Sequence, residues 1–179
     1  MGAGKSSVGR ALGERLNWLF EDLDDRIERR EDRKIAEIFE NSGEPYFRQA
    51  ERAALRQVLG EMSGAGQARI VALGGGAFAQ KDNAALLKAA GAPTVFLDAP
   101  VEELWQRCRG QATESGLERP LLRDVEQFGA LYRARRKHYS TALLTIGTGG
   151  REVKAIAAEI AKKLGLKKIA MRTEQGESE

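Results

Sequence analysis

The chain is poor in residues that form covalent or metal cross-links. Its 179 residues include one cysteine, Cys108, and one histidine, His138. One cysteine excludes a disulfide within the chain, and a lone thiol with a lone imidazole cannot assemble a structural zinc site. Only four prolines interrupt the sequence, and no apolar run approaches the roughly 20 residues of a membrane helix. The opening stretch also lacks the charged-then-apolar pattern of a secretory leader, so a cytoplasmic protein without a membrane partner is expected. Charge of one sign is scarce too: 29 Lys and Arg face 26 Asp and Glu, a net charge of +3 spread along the chain. A nucleic-acid surface needs a one-sided basic stripe, so no such partner is expected. With 42% hydrophobic and 31% charged residues, the composition is that of a globular protein, and the length fits one domain of roughly 100–200 residues.

What is present is an alternation of two periods. Short apolar runs at Trp18–Phe20, Arg69–Leu73, Thr94–Leu97 and Leu144–Ile146 read as strands, and Ile70-Val71-Ala72-Leu73 has the unbroken character of a strand buried on both faces. Helical spacing occupies Lys5–Leu16, Leu23–Arg30, Lys34–Asn41, Pro45–Met62, Gln80–Ala90, Val101–Arg107, Val125–Tyr139 and Arg151–Leu164. This order implies an α/β fold, a doubly wound parallel sheet with helices on both faces and ligands at the carboxyl ends of the strands. Gly110–Glu118 is polar and without period, which reads as a surface loop able to act as a lid, and Lys167–Glu179 is too polar to bury anything, a frayed tail. Residues 1–166 are then one domain and 167–179 a tail.

Five segments point to chemistry. Gly2-Ala3-Gly4-Lys5-Ser6-Ser7 leads into an amphipathic helix. Such a turn aims backbone N–H groups at an anion, with Lys5 in reach of phosphates and the Ser6 hydroxyl in reach of Mg²⁺; a solvated glycine stretch fits the fragment as well. Asp22 and Asp24 follow a short strand. If the chain is still extended there, they share one face and divide the work of holding a metal-bound water and accepting a proton; acids at a helix start are the plainer reading. Gly74-Gly75-Gly76 keeps three positions free of side chains at the strand's end, more than a tight turn needs. Arg48 and Glu51 lie three apart on one helix face, either an oriented guanidinium or a surface ion pair. Arg119 follows the polar loop, and Arg133, Arg135 and Arg136 share a helix, as anion forks or as a solvated face. Cys108, His138, Trp18 and Trp105 have no partners at catalytic spacing and read as structural.

Taken in order, MGAGKSSVGRAL, FEDLDDRIE, IAEIFENSGEPYFRQAE, VALGGGA, ERPLL and RRKHYSTA resemble the shikimate kinase family, a branch of the P-loop kinases related to nucleoside-monophosphate kinases. The resemblance runs from the first residue to about Ile146. It implies an ATP-dependent kinase that passes the γ-phosphoryl group to the 3-hydroxyl of shikimate, in aromatic amino-acid biosynthesis, with ATP and shikimate as partners, Mg²⁺ as cofactor and a monomer as the working form. By the same resemblance, Gly2, Ala3, Gly4, Lys5, Ser6, Ser7 and Arg119 contact the nucleotide, and Ser6 and Asp22 serve the metal. Asp24 binds the substrate hydroxyls and is the catalytic base, with Lys5 and Arg119 as the other catalytic groups. Arg48, Arg135 and the backbone of Gly75 and Gly76 hold the carboxylate. Glu51 orients Arg48, Phe39 and Phe47 wall the pocket, residues 23–62 form the substrate-binding segment and 109–119 the lid. Arg107 and Arg109 are candidates for adenine stacking.

The chain departs from the family pattern in three places: a longer lid, Lys137 where a proline is common, and a phosphate loop without its first glycine. G-x-x-x-x-G-K-[ST] needs a glycine five residues before Gly4, and the chain begins three residues before it. The expectation is that the first strand is missing from this chain and that upstream residues form a buried strand ending in Gly-x ahead of Met1. Burying about four apolar side chains at about 1.5–3 kcal/mol each would add roughly 6–12 kcal/mol. Two other readings use the same residues: a related small-molecule kinase such as a gluconate kinase, and a nucleotide-binding module without catalysis. FR-x-x-E, GGG and RPLL favour the shikimate reading over gluconate.

Overall fold

The computed structural model describes residues 2–65, 68–115 and 124–169. Their elements follow in the order α1 (Lys5–Leu16), β1 (Leu19–Asp22), α2 (Leu23–Glu31), α3 (Ile35–Ala65), β2 (Arg69–Ala72), a 3-10 turn (Ala77–Ala79), α4 (Lys81–Ala89), β3 (Val95–Asp98), α5 (Val101–Ser115), α6 (Val125–Tyr139), β4 (Leu144–Gly147) and α7 (Val153–Lys163). The strand pairs are parallel, with Asp22 opposite Ala72 and Asp98 opposite Gly147. This is the α/β class that the alternating periods require, and β1 and β2 end together beside the glycine turn that opens α1 and the run Gly74–Gly76.

The sheet is divided. Among the described residues β1 pairs with β2 and β3 with β4, giving two two-stranded sheets. Between them lies a cavity of about 450 Å³, with Ile70 and Val71 on one side, Phe96 and Leu97 on the other, and Leu12 of α1 and Leu55 of α3 among its walls. Ladder hydrogen bonds need strands about 4.7–4.9 Å apart, and an opening of this size holds the two edges beyond that reach.

Two apolar clusters flank the division. Val8, Leu12 and Leu16 of α1 pack with Phe96, Leu104, Phe128, Ile146 and Ile156, while Leu23, Ile27, Ile38, Leu55 and Val58 form the second cluster around α2 and α3. Helix α1 lies hard against β1: a Cβ at Gly9 would fall 2.4 Å from the Phe20 ring. That contact fixes the start of α1 beside the end of β1.

Helices α1 and α6 have the bounds expected from their spacing, whereas three segments differ. The two helices expected at 34–41 and 45–62 join in α3, bent at Gly43, whose φ of 76° is left-handed and favours glycine. Helix α5 passes Arg107 and runs to Ser115, so much of the expected polar loop is helical. Gly110 costs a helix interior about 1 kcal/mol relative to Ala, too little to stop one already nucleated. The start of the expected frayed tail is tied down: Ile169 N donates to Leu16 O at 2.9 Å and Trp18 Nε1 to Lys167 O at 3.2 Å.

Candidate active site

The turn into α1 is shaped by glycine. Gly2 (φ 60°) and Gly4 (φ 77°) are both left-handed, and a Cβ on Gly2 would stand 2.5 Å from the Leu104 carbonyl. No side chain caps α1 and no acid lies in its first turn, so its leading N–H groups and positive dipole end suit an anion. Ala3 is buried, Lys5 and Ser6 are half-buried, and Ser7 is exposed.

Ser6 Oγ donates to Asp22 Oδ2 at 2.6 Å, a short charge-assisted bond. Asp22 Oδ1 accepts from Asp24 N at 3.1 Å and caps α2. The sequence left metal support and a helix-start acid as alternatives for Asp22, and this one carboxylate caps α2 while accepting from the Ser6 hydroxyl. Asp24 departs from expectation: α2 begins at Leu23, so Asp24 stands in a helical turn and does not share an extended face with Asp22. Helical geometry carries it to the glycine run, where a Cβ on Gly74 would lie 2.4 Å from Asp24 Oδ1.

Arg48 lies over the same run. A Cβ on Gly76 would fall 2.8 Å from Arg48 Nη2, so the glycines admit the protein's own Asp24 and Arg48 as well as any ligand. Arg48 Nη1 donates to Glu51 Oε1 and Oε2 at 3.2 and 3.1 Å. Its Nε and Nη2 donate to Glu44 Oε1 at 3.1 and 2.9 Å. The two carboxylates differ in burial: the Glu51 side chain is 1% exposed and that of Glu44 61%. Burial pushes the Glu51 carboxyl above its ordinary range and nearby Asp24 adds to the rise, while Arg48 and Arg135 draw it back. Burial works against the Arg48 charge, yet Glu44 and Glu51 hold that guanidinium above its ordinary pKa.

Helix α6 closes the other side. Arg135 Nη1 donates to Gly75 O at 3.2 Å, and the Tyr139 hydroxyl donates to the same carbonyl. Of the three arginines of that helix only Arg135 joins the site; Arg136 Nη2 donates to Asp98 Oδ2 at 2.9 Å. The rings of Phe39 and Phe47 pack together, centroids 4.6 Å apart. Arg107 Nη2 donates to Glu103 and to Thr148 O, which places it beside the end of β4, and Arg109 is exposed. Arg119 and the ERPLL segment lie outside the described residues, as does residues 116–119 of the expected lid.

Sequence reasoning missed three residues here. Glu44 and Tyr139 carried a signal, each lying four positions from an arginine of the site and so on its helix face. Asn83, whose amide meets Glu51 from α4, carried none, because nothing local links residues so far apart in the chain.

A family model described as shikimate kinase matches residues 1–165 of this chain. The chain is 43% identical over 164 residues to a shikimate kinase of Geobacter sulfurreducens, covering 90% of this chain and 84% of that protein. It is 36% identical over 165 residues to one of Persephonella marina, covering 92% and 94%. Among solved structures, a shikimate kinase from Acinetobacter baumannii in complex with shikimate superposes with a TM-score of 0.80 at 34% identity, covering 92% of this chain and 88% of that one. A gluconokinase from Sinorhizobium meliloti has a TM-score of 0.51 at 15% identity, covering 92% and 91%, a likeness of fold alone.

Proposed function

The chain belongs to the shikimate kinase family of ATP-dependent kinases, and from that premise we propose that it transfers the ATP γ-phosphoryl group to the 3-hydroxyl of shikimate through the residues gathered at Gly74–Gly76. The observation that carries this reading is the pairing of Arg48 and Asp24 over one glycine turn. It sets a carboxylate fork beside a proton acceptor, which a substrate bearing both an acid and hydroxyls requires.

The substrate carboxylate takes the place of the exposed Glu44 at the Arg48 fork, with Arg135 and the backbone of Gly75 and Gly76 alongside. Glu51 keeps the guanidinium turned toward it. Phosphoryl transfer passes through a loose, metaphosphate-like transition state, so alignment and charge neutralisation do most of the work. Lys5 and the N–H groups at the start of α1 hold the phosphates, while the clamp fixes the attacking oxygen in line. Asp24 receives the hydroxyl proton as the bond to phosphorus forms. Arg119, carried by the lid, supplies the further positive charge, and lid closure excludes water as a competing acceptor.

Ser6 and Asp22 fit Mg²⁺: a hydroxyl and a carboxylate in contact offer the hard oxygen ligands this ion takes, with water and phosphate completing its shell. When bound, the ion would draw charge from the phosphate oxygens. We read residues 1–166 as one cytoplasmic, monomeric kinase domain; among the described residues no helix is long and apolar enough to cross a membrane.

The test is ADP release by the purified chain with ATP and Mg²⁺, offered shikimate, gluconate or no acceptor. Turnover with shikimate alone is expected. Turnover with gluconate, or ATP binding without turnover on any acceptor, would overturn the reading.

A further inference from the structure

Glu51 is buried far more deeply than a carboxylate on a substrate-binding helix needs to be, and a carboxylate so placed requires donors from more than one direction. Arg48 supplies one. The other is Asn83 of α4, itself 1% exposed. Its Nδ2 donates to Glu51 Oε2 at 3.4 Å and to Ala77 O at 3.1 Å. Both neighbours offer only acceptors, so the amide nitrogen must face them. Ala77 directly follows Gly76 and opens the 3-10 turn beneath Arg48. One side chain thus ties the anchor of the arginine fork to the backbone of the glycine run.

Packing does not account for this residue. Asparagine is a poor helix former and a costly core residue, and the Asn83 Oδ1 atom is buried without a hydrogen-bond partner among the described residues. A leucine would suit the surrounding cluster, in which Leu87 of the same helix is buried. A second carboxylate would be repelled, since Asp24 already acts on Glu51. A neutral donor satisfies both acceptors without adding charge.

We propose that Asn83 is a positioning residue for acid-substrate recognition: by holding Glu51 against the Gly76–Ala77 backbone it sets the angle at which Arg48 meets the substrate carboxylate. The inference rests on the shikimate reading above. Asn83 reaches neither substrate nor phosphate, so its effect falls on one substrate only.

Asn83→Leu and Asn83→Asp in the full chain separate this role from a structural one. For Asn83→Leu, the KM for shikimate is expected to rise about 5- to 10-fold, the worth of one misplaced hydrogen bond, with the KM for ATP and kcat close to parental. The aspartate is nearly isosteric, and its charge depends on pH. The groups facing Glu51 are Arg48 from α3, Asp24 from α2 and Arg135 from α6. Beside the acids Glu51 and Asp24, and with Arg48 and Arg135 acting the other way, the new carboxyl can hold a proton at low pH and donate it to Glu51, imitating the amide. The shikimate KM of Asn83→Asp is therefore expected to be nearer parental at the lowest pH at which the parent is active than at a pH about two units higher, where ionisation removes the donor, and to change more steeply than in the parent. If the leucine variant does not fold, the aspartate variant carries the test, with shikimate titrated by calorimetry at both pH values. A lowered Tm with parental shikimate KM at every pH, or shikimate and ATP KM rising together, would overturn the proposal alone. A parent that neither binds nor phosphorylates shikimate would overturn the functional reading with it.

Discussion

Strand β2 and the glycine run that follows it stand in very different surroundings. Ile70 and Val71 line the cavity between the two half-sheets; a few residues on, a Cβ on Gly74 or Gly76 would displace the Asp24 carboxylate or the Arg48 guanidinium. The difference lies in the forces at each place. Around the glycine run, charges and amides of fixed geometry specify position, and a displaced donor leaves a buried group unsatisfied. In the cavity the contacts are apolar and non-directional, so the strands hold their pairings with β1 and β4 while the gap between them is tolerated. Recognition and packing are accordingly separable, and variants at one place are expected to leave the other unmoved.

The sharpest break on the polar side is Asp24→Asn, which keeps shape and removes the proposed proton acceptor. A fall in kcat of about 10²- to 10⁴-fold is expected, with Tm near parental; full activity would show Asp24 to be a helix-start acid only. Arg48→Ala is next. Loss of a charge-assisted fork worth roughly 1.5–3 kcal/mol predicts an affinity for shikimate weakened about 10- to 150-fold, with ATP affinity unchanged, both read by calorimetry.

The loose side can be tested by filling it. A Val- and Ile-rich strand of about five residues fused ahead of Gly2 has apolar side chains for the cavity and backbone groups for the open edges of β2 and β3. It is expected to raise Tm, by about 2–4 °C for each kcal/mol gained, and a polar sequence of equal length is not. Equal Tm for both fusions would show that the cavity takes no strand.

Smaller effects probe the arginine's two partners and the surrounding charges. On the proposed reading Glu44 competes with the substrate carboxylate from an exposed position, where an ion pair is worth about 0.2–1 kcal/mol. Glu44→Gln is therefore expected to lower the shikimate KM, by up to about 5-fold; a raised KM would make Glu44 a helper. Away from the site, Arg26 and Arg69 bind Glu21 and Glu61. Hydrogen bonds from Arg26 lead in bringing the Glu61 carboxyl down from 4.5 to about 2. A depressed folded-state pKa contributes stability above pH 4.5 that is lost as pH falls toward 2. The drop in Tm across that window should be shallower in Glu61→Gln, and identical slopes would remove Glu61 from the acid response.

Much of this was legible in the sequence, and the parts that were share a cause. The limits of α1 and α6, the phosphate turn at Gly4-Lys5-Ser6 and the kinase motifs are set by neighbours within a turn or two, where spacing, dihedral preference and side-chain chemistry act directly. Even the Arg48–Glu51 pair was visible as a spacing, though not its burial. Tertiary structure alone decided the rest. Helix α2, starting at Leu23, chose between two placements of Asp24, and the close packing of α1 on Phe20 brought Ser6 to Asp22. The fold brought Asn83 to Glu51 across 32 residues. Contacts between residues distant in the chain depend on how whole elements stack, and no local pattern of residues records that.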